Sequence, residues 1–281
     1  MEEVIPSRLS ILGHPHRLAV FRLLMRRYPD RVPAGELADA LALKASTLSA
    51  YLTALQQAGL VTQERVATSL RYSIAMTEVR RTFDYLLLDC CRGRPEFCSP
   101  VSMPFASGTH PMPDRKYNVL FICTGNSARS IFAESILRRA AGDRFNAYSA
   151  GTRPGSELNP FAVQVLRDKG HDISVLRSKD VSEFFGPDAP HFDFVFTVCN
   201  QAANEECPAW NGQPVTGHWG MPDPLKAEGN NAQKSLAFHE AYGALKRRID
   251  LFTAPNVESL SRLALQARID DIARISAEVL S

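Results

Sequence analysis

The chain has 281 residues, 45% of them hydrophobic and 22% charged, and 32 Lys and Arg against 30 Asp and Glu leave a formal net charge of +2 at pH 7. That length suffices for two separate cores, the composition is that of a soluble globular protein, and no apolar run of about 18 residues supports a membrane-spanning helix. The acidic start, Met1-Glu-Glu-Val-Ile-Pro, has no apolar stretch of the kind a signal peptide needs, so a cytoplasmic location is expected.

Residues 1–110 hold 13 Lys and Arg against 10 Asp and Glu, and the remainder 19 against 20, so the slight positive excess is N-terminal. The six cysteines fall into two triplets, Cys90, Cys91 and Cys98, then Cys123, Cys199 and Cys207. In a reducing cytosol such clusters point to metal binding or catalysis before a disulfide framework.

In chain order, Leu18, Phe21, Leu24 and Met25 recur at helical spacing. Ala34 to Leu41 predicts a short second helix, Ala42-Leu43-Lys44 a tight turn, and Ser46 to Ala58 a helix with Leu48, Leu52 and Leu55 on one face, stopped by Gly59. Short alternating segments from Val61 to Ile74, around Ala67-Thr68-Ser69, predict a two-stranded wing, and Thr77 to Cys91 returns to helix. Residues 93–115 contain Pro95, Pro100, Pro104, Pro111 and Pro113 and keep neither period, so they are expected to form a linker between residues 1–92 and 116–281.

Beyond the linker the period changes. Tyr117 to Cys123, Ala147 to Ala150 and Asp193 to Cys199 predict buried strands, with Pro214 to His218 a candidate fourth. Helices are expected over Ser127 to Ala141 and Pro160 to Lys169, then near 232–252 and 257–280. Strands alternating with helices imply a parallel sheet covered on both faces. Trp210 and Trp219 read as packing residues.

The sharpest signal is Cys123-Thr124-Gly125-Asn126-Ser127-Ala128-Arg129-Ser130 at a strand–loop–helix junction. Small residues let the backbone curl so that several N–H groups face one centre. The following helix adds its positive end, and Arg129 offers a planar fork to two oxygens of a tetrahedral anion. Residues 124–129 thus make a cradle for phosphate or its isostere arsenate. The same field is expected to lower the pKa of Cys123, with Ser130 donating a hydrogen bond to the sulfur. Asn126 suits a left-handed backbone position.

At these residues, and at Tyr148-Ser-Ala-Gly-Thr, Val198-Cys-Asn-Gln-Ala-Ala-Asn-Glu-Glu-Cys207-Pro and His218-Trp-Gly-Met-Pro-Asp-Pro224, the chain resembles the low-molecular-weight tyrosine phosphatase fold. Within that fold it is similar to the three-cysteine arsenate reductases, over about residues 116–253. The resemblance implies a four-stranded parallel sheet, makes Asp223 the general acid, and implies thioredoxin as reductant with no tightly bound cofactor. It also maps a potassium ion onto Asn126, Glu134, Ser149 and Asp180, oxygen donors that equally suit a hydrogen-bond network.

A phosphatase needs no further thiols, whereas a reductase must deliver two electrons. Cys199 ends the third strand at the same sheet edge as Cys123, and Cys207 follows in a polar segment, Asn200 to Glu206, that is free to move. The expected sequence is attack by Cys123 on arsenic(V), then a Cys123–Cys199 disulfide, then a Cys199–Cys207 disulfide reduced from outside. Two rivals remain at this point: a phosphatase fused to a regulator, and a regulator whose loop only senses an oxyanion.

The N-terminal half reads as a mainly α helix-turn-helix with a wing. Lys44, Ser46, Thr47, Ser49, Tyr51 and Thr53 on the second helix, with Arg65, Thr68 and Arg71 in the wing, suit phosphates and base edges of operator DNA. From Leu12-Gly-His-Pro-His-Arg-Leu18 through Leu55-Gln-Gln-Ala-Gly-Leu-Val61 this half resembles the ArsR family of dimeric winged-helix repressors, over about residues 5–92. Cys90, Cys91 and Cys98 are a candidate arsenite sensor, because arsenite is soft and takes three thiolates. His14 and His16 read as structural.

Overall fold

The computed structural model describes residues 4–92, 115–155, 157–186, 188–205, 210, 213–254 and 260–278. The chain forms two compact units, residues 1–108 and 109–281, and the division falls within the expected linker.

In the first unit the order is α1 (Val4–Leu12), α2 (Pro15–Arg26), β1 (Val32–Pro33), α3 (Ala34–Ala40), α4 (Ala45–Gln57), β2 (Val61–Val66), β3 (Ser69–Ile74) and α5 (Met76–Asp84). Val20, Leu23, Leu24, Leu37, Leu48 and Leu52 make its core. The expected stop of α4 holds: Gly59 lies at φ +71 and its N–H donates to Gln56, the left-handed ending that a Cβ disfavours. The wing is a hairpin paired from Val61↔Ile74 to Val66↔Ser69, and β1 adds a third strand against β3 that sequence periodicity does not reveal.

Two expectations are corrected in this unit. Helix α1 precedes the first predicted helix; the buried Arg8 guanidinium ties it to the Ala58 carbonyl, Thr82 and Glu78. The helix expected over 77–91 does not run through as one α-helix: α5 ends at Asp84 and a π-helical turn, Tyr85–Cys90, follows.

The second unit runs β4 (Tyr117–Cys123), α6 (Arg129–Ala141), β5 (Phe145–Gly151), α7 (Pro160–Asp168), β6 (Phe194–Thr197), α8 (Asn200–Asn204), β7 (Val215–His218), α9 (Asn231–Thr253) and α10 (Arg262–Glu278). The sheet is four-stranded and parallel, in the order β5-β4-β6-β7. From β4 the chain crosses to β5 on one side and then returns to β6 on the other. The C-terminal edge of β4 is therefore a topological switch point, the place where ligands settle in open α/β sheets, and Cys123 ends that strand.

Phe121, Phe196, Trp219 and Phe252 fill the core, with Trp219 stacked 4.1 Å from Phe196. Trp210 stacks on Phe185, so both tryptophans pack as expected. Helix α10 covers β7: a Cβ on Gly217 would stand 2.4 Å from Ile269, so the helix approaches this closely only over glycine. Among the described residues no helix is long and apolar enough to cross a membrane.

Candidate active site

The helix expected from Ser127 does not begin there. Asn126 lies at φ +43 and Ala128 at φ −143, and α6 begins at Arg129. The loop is held from outside through its carbonyls: Thr152 N donates to Cys123 O, Arg153 N to Thr124 O and Asn159 N to Ser127 O. Peptide planes pinned in this way turn the following N–H groups inward, the concave arrangement that binds anions. Gly151 permits the approach, since a Cβ there would lie 2.7 Å from Thr124 O.

Cys123 is buried, with its sulfur 2.9 Å from Ser130 Oγ and 3.1 Å from Asn126 N. The Asn126 amide donates to Ser130 (2.8 Å) and to Ser149 (2.9 Å), and its Oδ1 accepts from the Lys179 backbone N–H. Burial pushes the Cys123 thiol up from its ordinary value, and Cys199 adds to this; Ser130 and the Arg129 charge pull the other way. The expected net lowering is therefore not found. The sulfur is buried, and that burial outweighs the pull of Ser130 and Arg129; the Arg129 guanidinium itself pairs with Asp223, Nη2 to Oδ2 at 2.9 Å.

Asp223 precedes a 3-10 turn, Pro224–Lys226, and caps it by accepting from Leu225 N. The expected acid and the expected oxyanion-binding arginine thus meet at the mouth of the loop. Arg129 also donates to the Met221 carbonyl at 3.4 Å, a contact that no motif announced.

Cys199 lies one step from the loop: its sulfur is 3.4 Å from Thr124 Oγ1 and accepts from Ala202 N at 3.4 Å, capping α8. The segment expected to be loose is therefore helical from Asn200 to Asn204, because the cap organises it. Cys207 lies outside the described residues.

Of the potassium positions, Asn126, Ser149 and Glu134 are joined in a hydrogen-bond chain, Asn126 donating to Ser149 and Ser149 to Glu134. Asn126 turns its amide donors toward Ser149, its oxygen is occupied by a backbone N–H, and the Asp180 carboxylate caps the turn Val181–Phe184. Two cations meet Glu134: the Lys179 ammonium, 2.9 Å from Oε2, and the Arg138 guanidinium on Oε1. A buried lysine that meets an acid 45 residues away leaves no local pattern for sequence reading to find.

In the first unit Lys44, Ser46, Ser49 and Arg65 are exposed, as recognition residues must be, while Thr47, Tyr51 and Arg71 are half-buried. Tyr51 packs against His14 and His16, with ring centroids 5.1 and 5.9 Å away, and Arg71 faces Glu64 across the hairpin. Cys90 is exposed at the end of the π-turn and Cys91 is half-buried; Cys98 lies outside the described residues. Among the described residues no three His, Cys, Asp or Glu side chains come together as a metal site.

Residues 118–262 match the family model described as low molecular weight phosphotyrosine protein phosphatase, and residues 12–64 match a helix-turn-helix domain. The chain is 39% identical to an arsenate reductase of Bacillus licheniformis over 138 residues, covering 49% of this chain and 95% of that protein. It is 37% identical to an arsenate reductase of Halalkalibacterium halodurans over 134 residues, covering 48% and 93%. A crystal structure of arsenate reductase from Archaeoglobus fulgidus aligns at 24% identity and a TM-score of 0.38, covering 47% of this chain and 98% of that one. With its match spanning more than half of the residues, the chain belongs to the low molecular weight phosphotyrosine protein phosphatase family, with a helix-turn-helix domain ahead of it.

Proposed function

We propose that this chain reduces arsenate to arsenite in residues 116–281 and regulates transcription through residues 1–92, with residues 93–115 joining the two. The observation that carries the reductase reading is the Cys199 thiol seated against Thr124 of the oxyanion loop. Hydrolysis of a phosphocysteine has no use for a second thiol there, and the relatives at 39% and 37% identity are arsenate reductases.

In the reaction, the Cys123 thiolate attacks arsenic(V) while Asp223 gives its proton to the departing hydroxyl, which leaves as water. Arg129 and the loop N–H groups hold the remaining oxygens. The Cys199 thiolate then attacks the Cys123 sulfur. The S–As electron pair stays with arsenic, which leaves as arsenite, and a Cys123–Cys199 disulfide forms. Cys207 attacks Cys199 and releases the Cys123 thiolate, and the Cys199–Cys207 disulfide is reduced by an external dithiol, for which thioredoxin is our assignment.

The helix-turn-helix half is read as an operator-binding repressor that works as a dimer. Phe83 and Leu88, exposed on α5 and the turn after it, support such pairing. Cys90, Cys91 and Cys98 are assigned to arsenite, so that the product of one half induces the other.

The test is arsenate-dependent oxidation of reduced thioredoxin, run beside hydrolysis of a phosphate ester. Thioredoxin oxidation that depends on arsenate and on Cys123 supports the assignment. Ester hydrolysis without it means that the chain is a phosphatase whose further cysteines are idle.

A further inference from the structure

Glu134 is a buried carboxylate behind the oxyanion loop, on the helix that the loop opens. A negative charge there opposes an anion held by the loop, because little water screens it. Lys179 answers it: its ammonium, buried with it, lies 2.9 Å from Glu134 Oε2 and 3.2 Å from the Arg177 carbonyl. Ser149 bonds the same carboxylate oxygen at 2.5 Å and accepts from Asn126, and the Lys179 N–H donates to Asn126 Oδ1. One residue therefore supplies both the charge on Glu134 and a backbone hold on the left-handed residue of the loop. Arg138 reaches the other carboxylate oxygen from a more exposed position.

We propose that Lys179 is a tethered cation: a positioning residue that balances Glu134 and shapes the loop, so that oxyanion binding in this chain needs no free monovalent cation. The proposal concerns anion binding alone and does not depend on which oxyanion is turned over.

The experiment uses the full reduced chain, with inorganic phosphate binding followed by calorimetry and melting followed by fluorescence, each in potassium chloride and in choline chloride of equal ionic strength. The parent should bind phosphate equally in both salts. Lys179→Met should melt roughly 5 °C or more lower in choline, as expected when a buried pair loses one partner. In choline it should also bind phosphate about tenfold more weakly, and potassium should restore both properties. The double variant Glu134→Gln/Lys179→Met removes the charge together with its balance. It should keep the parent's affinity in both salts, and it decides the matter if the single variant does not fold. Three results would overturn the proposal: a parent that binds phosphate more tightly in potassium, a folded Lys179→Met indifferent to potassium, or a double variant that loses affinity in choline.

Discussion

Replacing Ser130 by alanine isolates the one hydrogen bond that a neutral side chain gives to the nucleophile. Its hydroxyl stands 2.9 Å from the buried Cys123 sulfur, and it opposes the upward push of burial on the thiol. A hydrogen bond to a charged partner contributes about 1.5–3 kcal/mol, which corresponds to roughly one to two units of pKa. Ser130→Ala should therefore move the thiol of Cys123 still higher. At pH 7.5 its alkylation by iodoacetamide, followed on the Cys123 peptide by mass spectrometry, should slow by roughly ten- to a hundredfold. The sign fixes the shape of the effect: the loss is largest at neutral pH and shrinks as the pH rises past the displaced pKa, whereas Ser130→Thr, which keeps a hydroxyl, should follow the parent. Superimposable pH profiles for Ser130→Ala and the parent would refute the idea that this contact stabilises the thiolate.

Cys207→Ser should release about one arsenite per chain and stop with a Cys123–Cys199 disulfide; repeated turnover with thioredoxin would show the relay order to be wrong. Asp270, on α10, is pushed up from 3.8 to about 6 by burial, so it holds a proton in the folded chain where the unfolded chain has lost it, and stability falls as the pH rises through that window. Asp270→Asn should stabilise the second unit by about 1–2 kcal/mol at pH 8, after discounting for partial solvent exposure, and by little at pH 4. Urea unfolding followed by tryptophan fluorescence reads that unit alone, since Trp210 and Trp219 are the two tryptophans of the chain; an equal effect at both pH values contradicts the cause. Lys44→Ala and Arg65→Ala should each weaken binding to duplex DNA across sequences and lower the slope of log affinity against log salt by about 0.9; an unchanged slope removes that residue from the phosphate contacts. Arsenite should release the operator from the parent but not from Cys90→Ser, by anisotropy of labelled DNA, and an equal response would place the sensor elsewhere.

What the sequence made legible was whatever is written locally. The run from Cys123 to Ser130 announces an anion loop because its residue types and spacing are themselves the chemistry, and Gly59 announces the end of α4 because only its backbone tolerates the turn. What escaped was whatever two distant segments decide together. Helix α1 depends on Arg8 reaching Ala58, Glu78 and Thr82, more than 40 residues away. The start of α6 slipped by two residues because the loop's backbone angles follow from its bonds to residues 152–159, not from helix propensity. The potassium positions matched residue by residue, yet none of them discloses Lys179, whose ammonium reaches Glu134 from 45 residues away. The thiol of Cys123 was misjudged for the same reason: the burial that pushes it up, and the Cys199 sulfur that adds to it, come from segments far along the chain, whereas Ser130 and Arg129, which pull it down, are written beside it.

That balance bears on the order of events in the site. Arg129 presents one nitrogen to Asp223 and the other to the Met221 carbonyl, so the fork that a tetrahedral anion needs is already engaged. An oxyanion entering the loop competes for the same two nitrogens, and it brings negative charge beside the Asp223 carboxylate. Both effects act in one direction, drawing Arg129 away from Asp223 and toward the anion. The ion pair at the mouth of the loop therefore couples occupancy of the cradle to release of the acid from its arginine partner. The Glu134–Lys179 pair behind the loop has no such competitor, since Lys179 faces a carboxylate that the anion does not reach. One pair is placed to be exchanged for substrate in each cycle, and the other to keep the loop in shape while that happens.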